Sequence, residues 1–165
     1  MAMVEAGILD AHERVELVDG VLVEMSPIGP RHDEVVEWLT RHFVKASGDA
    51  FRVRVQSTFL TPGGGFFEPD IIVFAAIPRG RHPDAALLVV EVAYTSHAWD
   101  ARKAATYAAA GVHEYWIVDV KGDELLVHRS PAGDTYASVE RFVPGDLVTP
   151  LIDAPPVDVA ALLAH

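Results

Sequence analysis

No cysteine occurs among the 165 residues. That excludes a disulfide framework, a thiolate zinc site and a cysteine nucleophile. Lysine is scarce: Lys45, Lys103 and Lys121 are all there is, and the arginines are scattered, with small groups at Arg52/Arg54 and Arg79/Arg81. The formal net charge is −11. The chain therefore lacks the cationic density with which proteins coat nucleic acid irrespective of sequence. A local basic strip or bound metal ions still let an acidic enzyme reach DNA, so the charge weighs against that partner without excluding it. No apolar run approaches the length of a membrane span. Met1 to Asp10 has no basic region ahead of an apolar stretch, so it is not expected to be a signal peptide, and cytoplasmic residence is the expectation. Repeats and low-complexity segments are missing too.

Half of the residues are hydrophobic, enough for a proper core, and the length fits one domain over residues 1–165. Met1–Leu9 is expected to form a short helix. Arg14–Met25 reads as a hairpin turning at Asp19-Gly20, with Val15, Leu17, Val21 and Val23 inward. After a loop from Ser26 to Pro30, Val35, Val36, Leu39, Phe43 and Val44 recur at helical steps over Arg31–Ser47, and Gly48 stops the helix. Phe51–Leu60 alternates as an amphipathic strand, and Pro62–Gly65 is a turn. Ser96 caps a helix running to about Ala110, on which Trp99, Lys103 and Tyr107 share a face. Tyr115–Val120, Leu125–Arg129 and Tyr136–Phe142 are expected strands, and Val157–Ala164 a closing helix. The strand, helix, strand order from Glu91 to Asp119 predicts a right-handed crossover between parallel neighbours.

Two acids stand out because they sit on apolar runs: Asp70 ahead of Ile-Ile-Val-Phe74, and Glu91 in Leu-Leu-Val-Val-Glu-Val-Ala93. A carboxylate on a core strand is costly unless paired, hydrogen-bonded or bound to a metal. Folding the two runs about the Pro78–Pro83 loop as an antiparallel pair sets Asp70 opposite Glu91, with Cβ atoms ~5 Å apart on one face. Such a pair repels unless a proton or cation intervenes, and a hard, oxygen-preferring ion such as Mg²⁺ suits it. The plainer alternative is structural: Asp70 and Lys103 as an ion pair, with Glu91 hydrogen-bonded to backbone. Trp99, Tyr107, Tyr115 and Trp116 read as core packing. Asp100 either pairs with Lys103 or favours its helix N-terminus.

An ordered set of residues carries a family resemblance. It comprises Glu16-Leu-Val-Asp-Gly20, Met25-Ser-Pro27, His32, Gln56, Pro69-Asp70, Glu91-Val92, Asp100, Lys103, Tyr107 and Gly111-Val-His-Glu-Tyr-Trp-Ile-Val-Asp119. Together they resemble the Uma2 family of the restriction-endonuclease-like, or PD-(D/E)xK, superfamily. The resemblance implies an α/β (α+β) fold: a mixed central β-sheet flanked by helices, with an added N-terminal hairpin. It implies an endonuclease that hydrolyses DNA phosphodiesters with Mg²⁺ or Mn²⁺, acting as a homodimer because cutting both strands takes two sites. Asp70 and Glu91 would hold the metal, with the Val92 backbone carbonyl as third ligand. The usual lysine two residues after the second acid is missing, since position 93 is alanine. Lys103 from the next helix would take its place, orienting the attacking water and offsetting transition-state charge. Glu16 would add a carboxylate, His32 a ligand or phosphate contact, and Gln56 a cleft position, against the plainer reading of each as an ordinary surface residue. The alternative function is a non-catalytic nuclease-fold module that binds or assembles with a protein partner.

Overall fold

The purest apolar runs of the chain become the middle of a sheet. The computed structural model describes residues 15–18, 21–24, 29–62, 65–93 and 97–164. In it, β6 (Ile71–Phe74), β7 (Leu88–Ala93) and β8 (Glu114–Asp119) are flanked by β3 (Arg52–Val55) on one side and by β9 (Glu124–Ala132) and β10 (Thr135–Phe142) on the other. The order is β10-β9-β8-β7-β6-β3. Only β7 and β8 run parallel, joined through the helix α2 (His97–Ala109); the remaining neighbours are antiparallel, so the sheet is mixed. Ile71 lies opposite Val90 and Ile72 opposite Val89. Continuing that register by one step sets Asp70 against Glu91, as the loop-centred folding anticipates.

Alternation along the strands divides the core into two layers. Ile71, Val73, Leu88, Val90, Trp116 and Val118 face the helix α1 (Pro30–Ser47), whose Val35, Val36, Leu39 and Phe43 supply the expected helical stripe. Ile72, Phe74, Val89, Tyr115 and Ile117 face the other way and meet Tyr107 of α2. Fully burying side chains of this size contributes about 1.5–3 kcal/mol each. Trp116 and Tyr115 are core residues, as anticipated. The closing segment is a short strand, β12 (Val157–Asp158), followed by α3 (Val159–Leu163), which Asp158 caps by accepting from Ala160 and Ala161 N–H. That is shorter than the expected helix Val157–Ala164. β12 pairs with β11 (Leu147–Val148), a strand the sequence does not announce.

A second sheet holds β2 (Val21–Glu24), β1 (Val15–Val18), β5 (Gly65–Phe67) and β4 (Phe59–Thr61), in that order. Val18 opposite Val21 is the pairing that a two-residue turn requires. The hairpin attaches through Leu17 opposite Phe66. The single strand expected over Phe51–Leu60 is in fact two strands in different sheets. Gln56 N–H still meets the Asp70 carbonyl at 3.1 Å, the next step of the β3–β6 register, and there the backbone takes φ +44°. The chain thereby leaves β3 and enters β4. Gly65 opens β5, where the sequence suggests only a turn, and a Cβ there would lie 2.6 Å from Thr61 Oγ1. Pro30 begins α1 and is not part of the preceding loop. The expected helix at Met1–Leu9, the Asp19-Gly20 turn and the Ser96 cap lie outside the described residues.

Candidate active site

Asp70 stands one position ahead of β6, where Pro69 has no N–H to give to the ladder. It is buried, at 5% exposure. Its Oδ2 accepts a hydrogen bond from Val92 N–H at 2.9 Å. Its Oδ1 lies 3.1 Å from Nε2 of His32, which sits in the first turn of α1. Burial by itself pushes the His32 imidazole down. The hydrogen bond and charge of Asp70, with those of Asp33 at 3.5 Å from Nδ1, outweigh it and leave the ring above its ordinary value. His32 is thus biased towards the cation that a buried carboxylate needs beside it.

Glu91 projects from the C-terminal half of β7 and is 6% exposed. Two groups from α2 converge on its Oε1: Lys103 Nζ at 3.1 Å and the Tyr107 hydroxyl, donating at 2.8 Å. Lys103 and Tyr107 are four residues apart, hence on one helix face, as the spacing predicts. The β7–α2–β8 crossover returns this face over the strand that carries Glu91. The plainer structural alternative has the partners reversed: Lys103 meets Glu91, and it is Asp70 that takes a backbone N–H. Tyr107 packs its ring against Phe67 and Tyr115, as a core residue should, with centroids at 5.5 and 5.0 Å. Its hydroxyl has a second task that the sequence reading misses. The available signal was the four-residue step from Lys103, which places both on the face that looks at Glu91.

Asp70 and Glu91 are therefore brought to one end of the central sheet. α1 reaches that end with His32, and α2 with Lys103 and Tyr107. Val92 joins them through its N–H. Gln56 meets Asp70 through backbone only; its exposed side chain borders a groove along α1 with Val36, Thr40, Val44 and Val55. Glu16 stands on β1 opposite Val23, but its side chain lies outside the described residues, as do those of Trp99 and Asp100. Among the described residues no three histidine or acidic side chains close into a metal cage. Two buried carboxylates, one on β7 and one just ahead of the neighbouring β6, nevertheless supply hard oxygen donors. Such donors fit an ion such as Mg²⁺, which takes one or two protein carboxylates and keeps water or phosphate oxygens for the rest.

Comparison with known proteins agrees with this architecture. Among solved structures, the crystal structure of a "putative nuclease belonging to DUF820" from Anabaena variabilis superposes with a TM-score of 0.83 at 16% identity. The superposition covers 97% of this chain and 95% of that one. At that identity the likeness establishes a shared fold. No curated protein matches the chain. The family model Uma2, described as "Putative restriction endonuclease", matches residues 5–157. A match over nearly the whole chain, on a sheet and helices arranged like those of that crystal structure, places the protein in the Uma2 family.

Proposed function

We propose that the protein is a metal-dependent endonuclease that hydrolyses DNA phosphodiester bonds at Asp70, Glu91 and Lys103. Family and fold are those of a restriction-endonuclease-like nuclease. The observation that carries the reading is the part-buried Lys103 ammonium, 3.1 Å from Oε1 of the buried Glu91, on the strand next to the one that the buried Asp70 precedes. Asp70 and Glu91 would hold Mg²⁺ or Mn²⁺. The Val92 carbonyl is a third candidate, since a strand residue's C=O leaves the backbone on the same side as its N–H, here the side of Asp70. A divalent ion bound there would supply Lewis acidity and lower the pKa of water.

The remaining work falls to the chain's own groups. Lys103 orients the attacking water and offsets the charge that builds on the phosphate oxygens. His32 holds Asp70 in place through Nε2. Cutting both strands of a duplex calls for two such sites, and we propose a homodimer on that ground. The net charge of −11 favours a second reading, a nuclease-fold module that binds a protein partner. A cleavage panel on single- and double-stranded DNA and RNA, with Mg²⁺ or Mn²⁺, separates the two. Divalent-dependent cleavage that disappears in Asp70→Ala and Lys103→Ala supports the nuclease. Cleavage retained in Asp70→Ala, or absent with every substrate and metal, refutes it.

A further inference from the structure

We infer that Tyr107 is a positioning residue that restricts Glu91 to binding the cation through a single oxygen. The inference rests on the metal-site reading above and adds to it how one ligand is presented. A carboxylate oxygen has two lone-pair directions. On Glu91 Oε1 both are engaged, one by Lys103 Nζ at 3.1 Å and one by the Tyr107 hydroxyl at 2.8 Å. A cation on Glu91 would then be held through Oε2. The two donors come from one helix face, so the carboxylate cannot turn without breaking both bonds or moving α2.

Tyr107 suits this task because its ring is immobile. It is fully buried and wedged among Phe59, Phe67 and Tyr115, with centroids 6.2, 5.5 and 5.0 Å away. A phenol with so little freedom orders its acceptor at small entropic cost, whereas a lysine amine on a long flexible stem does not. Groups that orient a metal-binding side chain in this way change affinity and rate without touching the metal.

The test compares the wild type, Tyr107→Phe and Phe67→Leu by Mn²⁺ titration followed by electron paramagnetic resonance, and by steady-state cleavage kinetics. Tyr107→Phe keeps the ring and removes the bond. It should weaken Mn²⁺ binding about tenfold and lower kcat while KM for nucleic acid stays unchanged. Phe67→Leu loosens the same packing but keeps the hydroxyl; it should lower Tm and weaken Mn²⁺ binding by less than Tyr107→Phe does. Equal Mn²⁺ affinity and kcat in Tyr107→Phe and wild type overturns the inference while the site reading stands. A wild type that binds no Mn²⁺ overturns both. A crystal of the wild type soaked in Mn²⁺ decides between the outcomes even if a variant fails to fold. Glu91 ligating through one oxygen, with Tyr107 still on the other, supports the inference; both oxygens on the metal refute it.

Discussion

Asp70 shows how much one side chain can be asked to do. It satisfies a strand N–H, holds a histidine from α1 and lends its backbone carbonyl to the turn at Gln56. Replacing it with alanine leaves Val92 N–H and His32 without that partner, a loss of about 1–3 kcal/mol. Asp70→Asn still accepts from Val92 N–H, so it should cost less in urea unfolding, while both variants lose cleavage. Equal stability losses for the two would show that the backbone bond contributes little. Lys103 matters through its partner. Lys103→Met takes that ammonium away from the buried Glu91 and should cost about 3 kcal/mol, since breaking a buried pair from one side exposes the desolvation penalty of the other. Pairing Lys103→Met with Glu91→Gln should recover part of that loss.

The strands show where local signals compete with tertiary ones. Residues 51–60 alternate like one strand, yet Gln56 adopts a left-handed backbone that strains non-glycine residues. Gln56→Gly should raise the unfolding free energy by about 1 kcal/mol, because the strain relieved exceeds the entropy glycine adds to the unfolded chain. A drop in stability would mean that the Gln56 side chain makes a stabilising contact. At the far end of the sheet, Glu114 on β8 is completely buried. It accepts from Arg129 Nε at 2.8 Å and from Leu151 N–H at 2.8 Å, while Arg129 also donates to the Thr149 carbonyl. This cluster ties the segment after β10 to the central sheet. Glu114→Ala should therefore cost about 3–5 kcal/mol and expose residues 143–158 to limited proteolysis, detected by mass spectrometry of the fragments.

For the molecule as a whole, the pH dependence of stability has an identifiable contributor on the face covered by α2. His128 of β9 packs between Tyr115 and Tyr136, with ring centroids at 5.3 and 5.6 Å. Burial pushes its imidazole below the ordinary value of 6.5, against the opposing pull of a backbone hydrogen bond with Tyr115. Above pH 6.5 both folded and unfolded forms are neutral at this ring. As pH falls below 6.5, the unfolded chain takes the proton first, so stability declines until the lower folded value is reached. His128→Gln should flatten that decline in a series of urea midpoints against pH; an unchanged slope would remove His128 as the cause. Among the described residues no helix is long and apolar enough to cross a membrane.

The elements of the central sheet and both long helices were legible in the residues alone. The middle strands and α1 carry plain apolar periods, α2 is placed by its alanine-rich propensity instead, and Gly48 and Gly111 mark the helix ends. The facing of Asp70 and Glu91 was legible too, since a short loop between two apolar runs leaves little freedom in register. Three features were not. The break at Gln56 is a positive-φ backbone on a glutamine, a residue type that gives no local sign of it. The partner of Lys103 depends on which way α2 lies over the sheet. The hydroxyl of Tyr107 looks like core to any pattern because its ring is core. Local periodicity records which face of a strand or helix is buried; which polar atoms meet at a buried point is decided only when distant segments are packed together, because each contact forms between residues that the chain itself does not bring near.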